Sequence, residues 1–136
     1  MDLDAIQDFA HRYTAAWCSQ DPASVASFFT PDGVLVINGG TPHVGREAIA
    51  ESARGFMTAF PDLIVEILGL DITREQVVYR WTLYGTNTGP GGTGRPVWIK
   101  GSETWRFGAD GLVAHSTGQF DAAEFERQLQ GIDDGA

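Results

Sequence analysis

The sequence predicts an α+β fold: a cone-shaped, curved antiparallel sheet, three N-terminal helices packed on its concave face, and a short C-terminal helix. Two observations carry this. Up to Phe60, apolar residues recur mainly every three or four positions; from Leu63 onward they alternate in four runs split by Gly-, Pro- and Asp-containing segments. Helices first and strands later places the helices on one face of an antiparallel sheet. The 136 residues, 43% hydrophobic and 20% charged, read as one domain over 1–136, large enough to bury a core without disulfide or metal.

The elements follow in order. Leu3, Ile6, Ala10, Tyr13 and Trp17 form one apolar stripe of a helix over 3–20. Asp21-Pro22 starts a second, short helix, because Asp caps and Pro tolerates the first helical position; it is expected to bury Val25, Phe28 and Phe29. Thr30–Gly33 reads as a turn and Val34–Asn38 as a strand stopped by Gly39-Gly40. Ile49, Ala53, Phe56 and Phe60 define a third helix, ended by Pro61. Strands are expected at Leu63–Leu70, Val77–Asn87, Val97–Phe107 and Leu112–Phe120, and a helix from Asp121 to Gln130, opened by the capping pattern Asp121-Ala-Ala-Glu124.

Composition narrows the partners. Nine Lys plus Arg against eighteen Asp plus Glu give a net charge of −9. Phosphate binding runs on clustered Lys and Arg, so nucleic acid is not expected, nor is an anionic membrane surface. The opening MDLDAIQDF has no basic segment followed by an apolar one, so an export signal is not expected and the expected compartment is the cytoplasm. Gly89-Pro-Gly-Gly-Thr-Gly94 spells G-x-G-x-x-G but leads into another strand, not a helix, and so reads as a hairpin loop. His11, His43 and His115 lack metal-ligand spacing, and neither metal nor organic cofactor is expected. Cys18, the one cysteine, is expected to be a buried, inert thiol.

Pairing the last strands about their loops sets Trp81 opposite Glu103, Asn87 opposite Val97, Trp105 opposite Ala114 and Glu103 opposite Ser116. Alternation then puts Trp81, Leu83, Asn87, Ile99, Glu103, Trp105, Ser116 and Phe120 on an inner, mostly apolar face. Tyr84, Trp98, Lys100 and His115 fall on the outer face. Glu103 stands out: burial on an apolar face disfavours its charge and raises its pKa, which suits a group that gives or takes a proton near neutrality. Asn87 could hold a substrate oxygen, or serve its own loop. Tyr13 could donate to an oxyanion, or be a core tyrosine. Asn38 could enter the pocket or act as a turn residue. Trp17, Phe56, Phe60, Trp81, Trp105 and Phe120 would wall a pocket or fill a core.

Several motifs carry a resemblance. They are Arg12–Trp17, Asp21-Pro22, Phe28–Asp32, Val44–Ile49, Phe60–Leu63, Arg80-Trp81, Gly85–Gly89, Thr93–Val97 and Asp110–Val113. In this order the chain resembles the nuclear transport factor 2-like superfamily, which includes ketosteroid isomerase and scytalone dehydratase, and most closely its SnoaL-like polyketide cyclases. The resemblance implies acid/base chemistry, with Glu103 at the position of the cyclases' aspartate and Tyr13 at that of the isomerase's oxyanion tyrosine. The chain departs from the family in having Glu for Asp at 103, Asn87 in place of a histidine, and no carboxylate near Ile37-Asn38. The expected function is a cyclase, isomerase or dehydratase acting on a small apolar carbonyl or hydroxyl compound, with Glu103, Tyr13 and Asn87 catalytic. A ligand-binding protein of the same fold, or a scaffold acting through its sheet face, is the alternative. A homodimer through the outer face around Tyr84 and Trp98 is also expected.

Overall fold

A computed structural model of the chain describes residues 2–131, leaving Met1 and residues 132–136 undescribed. The order is α1 (Leu3–Cys18), α2 (Pro22–Ala26), β1 (Phe29–Ile37), β2 (His43–Val44), α3 (Arg46–Ala59), β3 (Ile64–Ile72), β4 (Val77–Thr86), β5 (Pro96–Phe107), β6 (Val113–Phe120) and α4 (Ala122–Gln130). The strands form one sheet in the order β2-β1-β6-β5-β4-β3. Most helices and strands fall where the periodicity puts them, and the expected caps Asp21 and Asp121 are joined by Asp2, which the sequence did not single out. Asp2 accepts from the N–H of Ala5, Asp21 from Ala23 and Asp121 from Glu124, each meeting a donor the first helical turn leaves free.

Three features of the sheet differ from expectation. First, the sheet is mixed, because β1 runs parallel to β6. No hairpin joins these two strands, so no tight turn dictates their direction. Second, Thr30–Gly33 is an irregularity inside β1 rather than a turn before it: Phe29 already pairs with Val113, and pairing resumes at Val34 with His115. Phe29 therefore belongs to the sheet and not to α2. Third, both hairpin registers lie two residues from the expected ones. Trp81 faces Gly101, Tyr79 faces Glu103, Trp105 faces Ser116 and Glu103 faces Gly118.

The cause of the first register shift is Asn87. Its Oδ1 accepts from the Thr93 N–H at 2.8 Å, and its backbone pairs with Arg95 and Gly94. The loop thus closes early. A shift of two leaves each side chain on its own face, so the division into inner and outer faces survives. The exception is a bulge at Arg106/Phe107, which turns Val113 fully into the core and leaves Ala114 half-buried.

The core lies between the helices and the inner face of the sheet. Tyr13 and Phe9 of α1 meet Trp105 edge-on, at ring separations of 5.2 and 5.4 Å. Leu3, counted in the α1 stripe, is exposed, and Phe9 takes its place in the core. The helix α4 packs Phe125 on Phe60 and Phe120. Its Gln128 accepts from the Trp98 N–H and donates to the Trp98 carbonyl, pairing backbone groups on the part of β5 that β6 does not reach. No helix among the described residues is long and apolar enough to cross a membrane.

Candidate functional site

An apolar cavity of about 60 Å³ opens between the helices and the inner face of the sheet. Trp17 comes from α1, Leu35 and Ile37 from β1, Phe56 from α3, Tyr79 and Trp81 from β4, and Glu103 from β5, with Phe120 closing β6. Among the described residues, Glu103 is the only carboxylate in the lining, and no Lys, Arg or His is present.

Glu103 is held asymmetrically. Its Oε1 accepts from Ser116 Oγ at 2.7 Å, from Trp105 Nε1 at 3.2 Å and from the Tyr13 hydroxyl at 3.0 Å. Oε2 receives only the other half of the Tyr13 hydroxyl contact, at 3.0 Å. Indole N–H is a donor only, so Oε1 must remain an acceptor, and Oε2 is the oxygen on which a proton can come and go. Burial raises the Glu103 pKa above the ordinary 4.5, and the bonds from Ser116, Trp105 and Tyr13 offset part of that rise. The same burial, reinforced by the Glu103 charge, drives the Tyr13 phenol well above its usual value. The phenol therefore stays a neutral donor.

Tyr79 stacks on Trp105 at 4.8 Å and 17°. Its hydroxyl meets Thr14 Oγ1, which already donates to the Ala10 carbonyl, so Tyr79 is the donor there. Burial raises its pKa as well.

The structure brings some of the expected residues together and not others. Glu103, Trp17, Phe56, Trp81 and Phe120 line the cavity. Tyr13 does not line it, and its proton is spent on the Glu103 carboxyl. Asn87 does not open into it: its Nδ2 donates to the Ala59 carbonyl and its Oδ1 takes both Thr93 donors. One bond to the end of α3 and two from Thr93 hold the amide in the loop. Asn38, at a positive φ of 52°, accepts from the Phe120 N–H and holds the end of β6. Trp105 lies fully buried beneath Glu103, and Phe60 is buried against Phe125; neither walls the cavity. Cys18 is exposed rather than buried, its Sγ against the Val65 backbone.

Two residues of the site escaped the sequence reading. Tyr79 alternates in phase with Trp81 and Leu83, so extending the inner face by two residues would have found it. Ser116 was placed on that face without a role; it reaches Glu103 diagonally across the strands.

The site is thus a buried carboxyl at the wall of an aromatic cavity, in a helix-covered sheet. The family is then plain: residues 10–116 match the SnoaL-like domain, and the chain belongs to that family. No curated protein matches it. Among solved structures, TsrD from Streptomyces laurentii is 21% identical, with 98% of this chain and 99% of that one covered, at a TM-score of 0.82. A ketosteroid isomerase-like protein from Catenulispora acidiphila, in complex with trimethylamine, is 17% identical over 90% and 92% of the chains, at 0.79. SalBIII, an epoxide hydrolase/cyclase-like enzyme in pyran ring formation of salinomycin, is 16% identical over 90% and 95%, at 0.77. These likenesses establish the ketosteroid isomerase-like fold.

Proposed function

We propose that the protein is an acid/base enzyme of the cyclase, isomerase or dehydratase type, acting on a small, mainly apolar carbonyl or hydroxyl compound. The observation that carries this is the asymmetric hold on Glu103. Three donors fix Oε1 while Oε2 is left to exchange a proton at the wall of an apolar cavity. The size of the cavity, about 60 Å³, supports a compound of few atoms, since sites for drug-sized ligands span roughly 300–1,000 Å³.

One carboxyl suffices for a proton relay. The carboxylate takes a proton from carbon next to a carbonyl. The resulting acid returns it to another carbon, giving an isomer, or to a departing hydroxyl, giving an alkene and water. Either way the carboxylate is regenerated. Ser116, Trp105 and Tyr13 hold the carboxyl in place throughout, as positioning residues. The test is hydrogen–deuterium exchange at carbon in small ketones, followed by NMR in D₂O. Exchange with the wild-type protein that is lost in Glu103→Gln, while ligand binding is kept, is the expected result. Exchange undiminished in Glu103→Gln would overturn the mechanism.

A second reading, ligand binding without turnover, is favoured by one observation. The Tyr13 and Asn87 groups proposed for an oxyanion are both committed elsewhere. That reading predicts binding without exchange in either variant. The outer face supports a homodimer: Ile64, Tyr84 and Trp98 align across three strands, and Trp98 is 64% exposed. Sedimentation as a monomer would contradict that part.

A further inference from the structure

We infer that the ligand of this cavity carries a positive charge: it is a small organic cation, a tertiary or quaternary ammonium, seated among Trp17, Phe56, Trp81 and Phe120 beside Glu103. The inference rests on the proposed function only in taking this cavity as the ligand site, and it adds an ammonium group to the compound proposed there.

Charge balance comes first. Among the described residues, every group bonded to Glu103 is a neutral donor, and no Lys, Arg or His lines the cavity. The titratable groups that face it are the phenols Tyr13 and Tyr79. An ionised Glu103 is therefore a buried charge without a counter-ion, and such a charge is costly until a cation joins it. A cationic ligand supplies the missing partner.

The walls fit the same ligand. Trp17 and Phe56 lie 6.1 Å apart at 73°, Phe56 and Phe120 6.5 Å at 77°, and Phe120 and Trp81 6.3 Å at 60°. Successive rings are steeply inclined, like the sides of a box rather than a stack. Aromatic faces are electron-rich and attract ammonium groups, most strongly where water is excluded.

The donors argue in the same direction. A site for a negative charge needs free N–H or O–H groups aimed at it. Here the protons of Tyr13, Ser116 and Trp105 all go to Glu103 and that of Tyr79 goes to Thr14, which leaves the Trp17 and Trp81 indoles and the Gln119 amide as the side-chain donors of the lining, all of them neutral. A cation beside Oε2 also fits the proton relay, because positive charge acidifies the neighbouring C–H bonds that the carboxylate would reach.

The test compares tetramethylammonium with tert-butanol, an uncharged molecule of the same heavy-atom count, by NMR titration at pH 8. Wild-type protein is expected to bind tetramethylammonium at least about tenfold more tightly, a margin within the range of a desolvated cation–aromatic contact. In Glu103→Gln the preference should fall to threefold or less, with tert-butanol binding retained. Equal or tighter binding of tert-butanol to the wild type, no binding of either probe, or a preference that survives Glu103→Gln would each overturn the inference. Ketone exchange that depends on Glu103 would then still stand, so the two failures are separable.

Discussion

Replacing Gly101 by Ala tests whether Trp81 is a movable wall of the cavity. A Cβ built at Gly101 would lie 2.3 Å from Cζ2 and 2.5 Å from Cη2 of Trp81, and 2.6 Å from the Gln119 carbonyl oxygen. Carbon atoms rest about 3.5–4.0 Å apart, so the indole must retreat by roughly 1.2 Å. The carbonyl belongs to β6, paired with β5 on that side, and yields little. The indole's free direction is away from the sheet, into the cavity. Overpacking of this kind costs about 1–3 kcal/mol. Urea denaturation should show a lower midpoint with an unchanged slope. Xenon, which enters dry apolar cavities, should lose its effect on the methyl resonances of Leu35 and Ile99. In a Trp81→Leu background the cost of Gly101→Ala should shrink by about 1 kcal/mol or more, as expected for groups in contact. A cost within about 0.5 kcal/mol, with the xenon response intact, would refute the reasoning.

Three further outcomes are expected. Asn87→Ala leaves the Thr93 N–H without its partner and the Ala59 carbonyl with the Gly89 N–H alone. It should cost about 1–3 kcal/mol in thermal or urea unfolding and leave turnover per folded molecule unchanged; lost turnover at full stability would return Asn87 to the site. Tyr13→Phe removes a donor worth about 1.5–3 kcal/mol to an ionised carboxyl, so carboxyl-carbon NMR should find Glu103 titrating higher than in the wild type, and a downward move would contradict the geometry. Because burial raises the Glu103 pKa, its contribution to stability is fully present below the unfolded value and is lost as pH rises through the folded one. Unfolding followed against pH should therefore show the wild type losing ground to Glu103→Gln above pH 4.5, whereas a constant difference would contradict the burial argument.

Much of this was legible in the sequence because it depends on period. The spacing of Tyr13 and Trp17 fixes which face of α1 turns inward, and alternation along β5 places Glu103 on the apolar face whatever the register. What period cannot supply is loop closure. The bond from Thr93 to Asn87 moved the β4–β5 register by two residues. That replaced Trp81 with Tyr79 opposite Glu103 and took the Asn87 amide out of the cavity. Depth within the core is equally unreadable from spacing. Trp105 and Trp81 share a face, yet Trp105 is fully buried under the carboxyl while Trp81 lines the opening. The parallel pairing of β1 with β6 joins segments with no local connection, so no turn residue announces it.

The central claim is that Glu103 is a desolvated acid whose less tightly held oxygen, Oε2, exchanges a proton at the cavity wall. Its most direct test is the ionisation of Glu103 followed through its carboxyl-carbon shift across a pH titration of the wild-type protein without ligand. The account predicts a midpoint above the ordinary 4.5 that moves down when tetramethylammonium fills the cavity. A midpoint at or below 4.5 would show the carboxyl to be solvated or already paired, and would contradict the account.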